Sequence, residues 1–301
     1  MTLTAFWLII CSAILHASWN LLAKKSHSSI PFYTLICTVG PLVWLHTQFW
    51  SPVRCTSLPP AFWIALACSV LSDVTYATGL FKAYDVMDIS TAYPIMRSLP
   101  IIFTLIVTSV FGIGSPIGPL ACVGMFVVFC GCMVMPLAKF SDFKASNYFN
   151  KNMLYIIIVA CGTTGYTVFD KIAQSYVTAG FNDVSAPIRS MTFYSMRGIC
   201  LSSTLWLISL SRSKYRAMMM DFFRKKDFKP LLAGVFASGT YVLVLISMNY
   251  VNNVSYVQVF RQIGLLVAML LGFVVLKERC TATKCVGVAL ILTGLVLCVV
   301  K

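Results

Sequence analysis

The ten residues CVGMFVVFCG at Cys122–Gly131 return as CVGVALILTG at Cys285–Gly294, so that Cys122-Val123-Gly124 aligns with Cys285-Val286-Gly287 and Gly131 with Gly294. Working outward, a shift of 165 residues pairs Thr75-Tyr76 with Thr240-Tyr241, Asp88 with Asn253, Ser90 with Ser255 and Arg97 with Gln262. A shift of 150 pairs Cys11 with Cys161, His16 with Tyr166, Trp19 with Phe169 and Asn20 with Asp170. The shift changes only across connecting segments, as a duplicated chain requires. In each copy of the opening stretch the two glycines are seven apart and share one helix face. Small residues on one face let two helices approach closely, so these glycines read as scaffold.

Composition identifies the solvent. Of 301 residues, 59% are hydrophobic and only 11% charged, where soluble domains carry about 45–50% and about 25%. Apolar runs fall at 3–23, 30–50, 60–82, 89–111, 116–137, 153–175, 186–210, 230–250, 254–276 and 281–300. They are too long and too continuously apolar for the alternating strands of a barrel, and in hydrocarbon a spanning segment must otherwise be a helix. No Lys or Arg precedes Lys24, so the first run lacks the basic start of a cleaved signal. Only the connections near 138–152 and 211–229 are long enough to hold extra structure.

The expectation is therefore an all-α membrane protein of ten transmembrane helices. Residues 1–138 form the first five-helix repeat, 139–152 a linker and 153–301 the second repeat. Five is odd, so the second half enters the membrane inverted. Inverted repeats recur in secondary transporters, which bind substrate near the midplane between the halves.

The chain carries 23 Lys and Arg against 9 Asp and Glu, a net charge of +14. Without a basic stripe interleaved with aromatics, this does not read as a nucleic-acid surface. Most of the excess follows odd-numbered runs: Lys24, Lys25, Lys82, Lys139, Lys144, Lys151, the cluster Arg212 to Lys229, then Lys277, Arg279 and Lys284. The opposite side keeps Arg54 and Lys301. The positive-inside rule places the basic loops in the cytoplasm and both termini outside a cell membrane, plasma or inner. The cysteines lie mostly inside apolar runs, as at Cys11, Cys68, Cys122, Cys161 and Cys200, and read as small apolar side chains. Cys130/Cys132 and Cys280/Cys285 have no histidine nearby, and neither a metal nor another cofactor is expected.

Ionisable groups inside spans are costly and tend to face a cavity, a partner or a substrate route. His16, Asp73, Arg97, Asp170, Lys171, Arg189, Arg197 and Arg261 qualify. His16 and Asn20 are i,i+4 with Trp19 beside them, and Tyr166 and Asp170 repeat that spacing. Tyr93 and Arg97 are likewise i,i+4, repeated by Gln258 and Gln262 with Arg261 adjacent. The expected substrate-binding set is thus His16, Trp19, Asn20, Tyr93, Arg97, Tyr166, Asp170, Gln258, Arg261 and Gln262. Pro94 and Pro100 are expected to loosen the helix around Arg97. Each group also has a structural reading: Asp170 or Asp73 paired with a basic residue, Arg189 snorkelling from a helix end, His16 or Trp19 packed between helices. Excluding histidine, five basic groups stand against two acids, an interior that favours a carboxylate or phosphate if two arginines stay unpaired. Proton coupling would need Asp73, Asp170 or His16.

His16-Ala17-Ser18-Trp19-Asn20 resembles the H-A-x-W-N pattern of the drug/metabolite transporter superfamily, EamA-like branch. Ala92-Tyr93-Pro94-Ile95-Met96-Arg97 is similar to that family's fourth-helix motif, and Leu276-Lys277-Glu278-Arg279 to its L-x-E-R. The first half has Gly114-Ser115-Pro116 where the repeat would place Lys277-Glu278-Arg279. The resemblance covers the whole chain. It implies ten helices in two inverted halves, a central cavity open alternately to each side, and export or exchange of small metabolites or drugs. It also implies that Trp19, Asn20, Tyr93, Arg97, Arg261 and Gln262 line or gate the cavity, that Glu278 caps a helix, and that both termini are cytoplasmic.

The function expected is a secondary active transporter, exporter or exchanger, for a small polar metabolite. Its partners are that solute and the lipid bilayer, with the chain a monomer or homodimer. A channel or a flippase for lipid-linked substrates also fits a polar seam between halves. A membrane-embedded transferase wants clustered acids, and Asp85/Asp88 is the only close acidic pair; the chain is not expected to be an enzyme.

Overall fold

The computed structural model describes residues 2–23, 29–87, 89–137, 139–142, 151–225, 228–276 and 281–300, without the side chains of 17–23, 89–91, 271, 272 and 274–276. Within them the regular structure is helical. In chain order come α1 (Leu3–Ala23), α2 (Ile30–Trp44), α3 (Thr47–Trp50), α4 (Pro60–Val86), α5 (Ile89–Val110) and α6 (Pro119–Val134). Then follow α7 (Met153–Gly180), α8 (Ala186–Ser211), α9 (Ser213–Arg224), α10 (Lys229–Met248), α11 (Val254–Phe260), α12 (Ile263–Leu276) and α13 (Ala282–Leu297).

Proline at the first or second helical position starts α2, α4, α6, α8 and α10, where its missing N–H would have had no partner anyway. Ser29, Asn253 and Thr281 cap α2, α11 and α13 by accepting from Phe32, Ser255 and Lys284 backbone N–H groups. Two expected runs are interrupted: 30–50 divides into α2 and α3, and 254–276 into α11 and α12. Conversely, α5 runs unbroken through Pro94 and Pro100, so the prolines do not open the helix at Arg97. The long connection at 211–229 holds α9, whose Phe222 ring packs 5.9 Å from Phe32.

The segments Ile30–Trp50, Pro60–Val86, Ala92–Val110, Met153–Gly180 and Lys229–Met248 are long and apolar enough to cross a membrane. Leu3–His16, Pro119–Val134, Val254–Leu270 and Ala282–Leu297 are shorter apolar helices. At 26 residues α8 has the length, but Arg189, Arg197 and its hydroxyl residues leave it less apolar. Large apolar side chains face outward, with Trp7 57%, Phe49 76%, Phe111 73% and Leu207 72% exposed. Meanwhile Asp73, Asp170, Arg197, Gln258 and Gln262 are buried. Apolar outside and polar within is the distribution a bilayer selects, and the chain is a multi-pass membrane protein.

Packing exchanges the two parts of the chain. The most extensive contact sets α4 on α7, and the pair that the sequence repeat would match to it, α10 and α1, packs together as well. Likewise α5 meets α7 as α12 meets α1, while α2 pairs with α8 and α6 with α13. Along α2–α8 the seam is hydroxyl-lined: Thr34 to Ser209 at 2.9 Å, Thr38 to Ser202 at 3.0 Å, and Trp206 Nε1 donating to Thr38 at 2.9 Å. The glycines of the opening stretch lie where α6 crosses α13. A Cβ at Gly131 would stand 2.8 Å from the Gly287 carbonyl oxygen, and one at Gly294 2.5 Å from that of Gly124. Backbone meets backbone there, as the seven-residue spacing predicts.

Candidate functional site

Two polar centres lie among these helices. The first joins Asp73 on α4, Asp170 on α7 and Arg197 on α8. Arg197 Nη2 donates to Asp73 Oδ2 at 2.7 Å and Nε to Asp170 Oδ1 at 2.9 Å. Tyr33 donates to Asp73 Oδ1 at 2.8 Å, Ser69 to Asp170 Oδ1, and Tyr241 to Asp170 Oδ2. All four carboxylate oxygens are therefore engaged. The guanidinium carbon also lies 5.1 Å from the Tyr241 ring centre and 5.8 Å from that of Tyr166, within cation–π range. Two acids and one arginine give this centre a formal charge of −1.

The second centre surrounds a small cavity of about 10 Å³, lined by Ile9, Ser12, Ala13 and His16 of α1, Arg97 of α5, Thr240 of α10, Arg261, and Gly264 of α12. That is about the room one water needs. Arg97 Nη1 lies 3.4 Å from His16 Nε2, and Nη2 donates to the Arg261 carbonyl at 3.2 Å. Arginine has no acceptor, so His16 Nε2 accepts and the ring is neutral in this arrangement. Arg97 Nε, Arg261 Nη1, Gln258 Oε1 and Gln262 Oε1 are buried with no hydrogen-bond partner among the described residues. Nor, among those residues, does either arginine form an ion pair.

The break between α11 and α12 is what aims Arg261. Gln262 N–H bonds the Val259 carbonyl at 3.1 Å and Leu265 N–H that of Gln262 at 2.9 Å, the tighter i→i−3 pattern. The Gln258 carbonyl, which Gln262 N–H would take in a continuous helix, instead accepts from the Gln262 side chain at 3.1 Å. The Arg261 carbonyl is turned inward to accept from Arg97. Interrupted helices of this kind are tolerated at membrane depth where they line a cavity.

Of the expected substrate-binding residues, the structure brings His16, Arg97 and Arg261 to one cavity, with Gln258 and Gln262 buried on the same broken helix. Tyr166 and Asp170 belong to the first centre. Tyr166 stands between the two, reaching Arg261 as well as the Arg197 guanidinium. Tyr93 packs against the main apolar core. The Trp19 and Asn20 side chains and Glu278 lie outside the described residues.

The remaining ionisable groups have local partners. Arg189 Nη1 donates to the carbonyls of Phe181 at 3.1 Å, Asn182 at 3.4 Å and Val184. Lys171 Nζ donates to those of Met248 and Val251, the latter at 3.3 Å. The expected set omits Arg197, Tyr33, Tyr241 and Ser69 of the first centre and Ser12 and Thr240 of the second. Arg197 had a signal in the two intramembrane acids, each needing a counter-charge. The others had none, because single hydroxyls in apolar helices are common.

A solved protein crystal structure matches this fold over 99% of this chain and 97% of its own, at a TM-score of 0.70 and 14% identity. No curated protein matches the sequence. The sequence pattern of the family described as "Sugar transport protein" runs along residues 10–301, taking in both polar centres and every helix from late in the first turns of α1 onward. The chain belongs to the sugar transport protein family.

Proposed function

We propose that this protein is a secondary transporter that carries a small polar solute, a sugar in keeping with its family, by alternating access between two inverted five-helix halves. The halves are residues 1–138 and 153–301, joined by 139–152, in keeping with the drug/metabolite transporter superfamily, EamA-like branch, that the sequence motifs resemble. The packing supports this reading, since exchanging the halves converts α4–α7 into α10–α1 and α5–α7 into α12–α1, and leaves α2–α8 and α6–α13 as self-paired seams. The observation that carries it is the cavity at Arg97. Its walls come from α1 and α5 of one half and from α10 and the α11–α12 break of the other, so movement between the halves opens it.

The site in the reading comprises His16, Trp19, Asn20, Tyr93, Arg97, Tyr166, Gln258, Arg261 and Gln262. Asp170 and Asp73 hold Arg197 and set the geometry beside it. The membrane is the cell membrane, and a reporter fused after Lys301 distinguishes an outside C-terminus, which the lysine and arginine distribution favours, from a cytoplasmic one.

Counterflow in liposomes tests the function. Vesicles holding the purified chain and loaded with unlabelled D-glucose, D-glucuronate or D-glucose 6-phosphate are diluted into a trace of the same labelled solute. Saturable, transient accumulation is expected for at least one. Flux linear with the gradient would assign a channel instead, and no accumulation for any solute overturns the transporter reading.

A further inference from the structure

Arg97 and Arg261 are brought together although both carry positive charge. They line one cavity, and one donates to the other's backbone carbonyl at 3.2 Å. Like charges so placed repel, the more strongly the lower the local dielectric, and an uncompensated charge away from water is costly. Among the described residues neither arginine has a carboxylate partner. All four oxygens of Asp73 and Asp170 are taken by Arg197, Tyr33, Ser69 and Tyr241. His16 accepts from Arg97 and Tyr166 reaches Arg261, but neither brings a negative charge. Arg97 Nε and Arg261 Nη1 remain buried donors without an acceptor among the described residues. A pair of guanidinium groups held so, with donors to spare, is built for an anion that arrives with the ligand.

Resting on the transporter reading, we infer that the solute is an acidic sugar, and that its carboxylate or phosphate is held between Arg97 and Arg261. The planar fork of arginine matches either group bidentately. The carbonyl of Arg261 keeps Arg97 in place, and the buried Oε1 atoms of Gln258 and Gln262, without a partner among the described residues, lie on the same broken helix as Arg261. A cavity of about 10 Å³ holds no sugar, so the described form is a closed one. Loading the site takes movement of the walls from α1 and α5 against those from α10 and the α11–α12 break.

The test measures binding apart from transport. The purified full chain is melted with D-glucose, D-glucuronate, D-glucose 6-phosphate or inorganic phosphate, since a ligand that binds the folded state raises the midpoint. At least one acidic sugar is expected to bind about tenfold tighter than glucose, and the two acidic probes separate carboxylate from phosphate. Arg97→Gln and Arg261→Gln are each expected to weaken that binding about tenfold to a hundredfold, the loss of a charged hydrogen-bonding partner, and so to shrink the preference for acidic over neutral sugar. Arg97→Lys, which keeps the charge and loses the fork, falls between. If a variant does not fold, the ratio of acidic to neutral sugar on the unaltered protein decides.

Glucose binding as tightly as both acidic sugars overturns the inference and leaves the transporter reading intact. Inorganic phosphate binding as tightly as glucose 6-phosphate overturns the sugar part. Acidic-sugar binding with no counterflow overturns the transporter reading and leaves the anion site standing.

Discussion

Arg197 and Arg97 are the same side chain inside one helical bundle, and their surroundings are opposite. Arg197 is 3% exposed and meets two carboxylates, a hydroxyl and two aromatic rings. Arg97 meets a neutral histidine and a backbone carbonyl, and its Nε has no partner among the described residues. The first is a closed account in which every charge is answered from within the chain, as buried charges in a stable structure are. The second is left open, and it lies at a cavity lined by α1, α5, α10 and the α11–α12 break. What separates a structural polar cluster from a ligand site is therefore not residue type, depth or number of charges, but whether the partners are all present before the ligand comes.

The comparison breaks most easily at Arg197. Arg197→Met is expected to destabilise by about 3–5 kcal/mol, the loss seen when one partner of a buried ion pair is removed and the other stays charged. The yield and melting midpoint of the purified protein are the measurement. A midpoint unchanged from the parent would mean that the cluster does not hold the fold. Asp73→Asn is milder, at about 1.5–3 kcal/mol for a hydrogen bond to a charged group, because Arg197 and Asp170 are left as a neutral pair. The same variant has a second use. If uptake driven by an imposed pH gradient becomes indifferent to that gradient, the first centre carries the proton, and its role is more than structural. Smallest is Arg97→Gln, expected to change stability by no more than about 1 kcal/mol in either direction, since no ion pair is broken among the described residues. A loss as large as that of Arg197→Met would place Arg97 in the scaffold and close the open account.

Much of the architecture was legible in the chain itself. Hydropathy marked each apolar run as helix, and the glycine spacing in Cys122–Gly131 and Cys285–Gly294 anticipated the tight α6–α13 crossing. The interruption at Arg261 was not legible, because the side chain of Gln262 closes on the Gln258 carbonyl, a choice between two similar hydrogen bonds that no periodicity encodes. The prolines of α5 misled for a related reason. Proline frees a carbonyl one turn back, but α5 continues as helix through both prolines, and the break falls at Arg261 instead. At the site, sequence spacing could place His16, Arg97 and Arg261 within spans but not on one wall. Their meeting depends on how α1, α5 and α12 rotate about their axes. Asp170 shows the limit from the other side. Its spacing from Tyr166 matched that of Asn20 from His16, yet it serves the first centre because Arg197, Ser69 and Tyr241 surround it.

The α6–α13 crossing has a mechanical consequence. Where two backbones touch at Gly124, Gly131, Gly287 and Gly294, neither helix can slide along the other without driving a carbonyl into the opposing chain. Rotation about the contact is the freedom that remains, as at a fulcrum. Displacement is then smallest at the seam and grows with distance from it. Labels on Phe126 and Leu292, which face outward from these two helices at 57% and 49% exposure, should keep their separation whether or not a solute is bound. Labels on α1 and α5 should not.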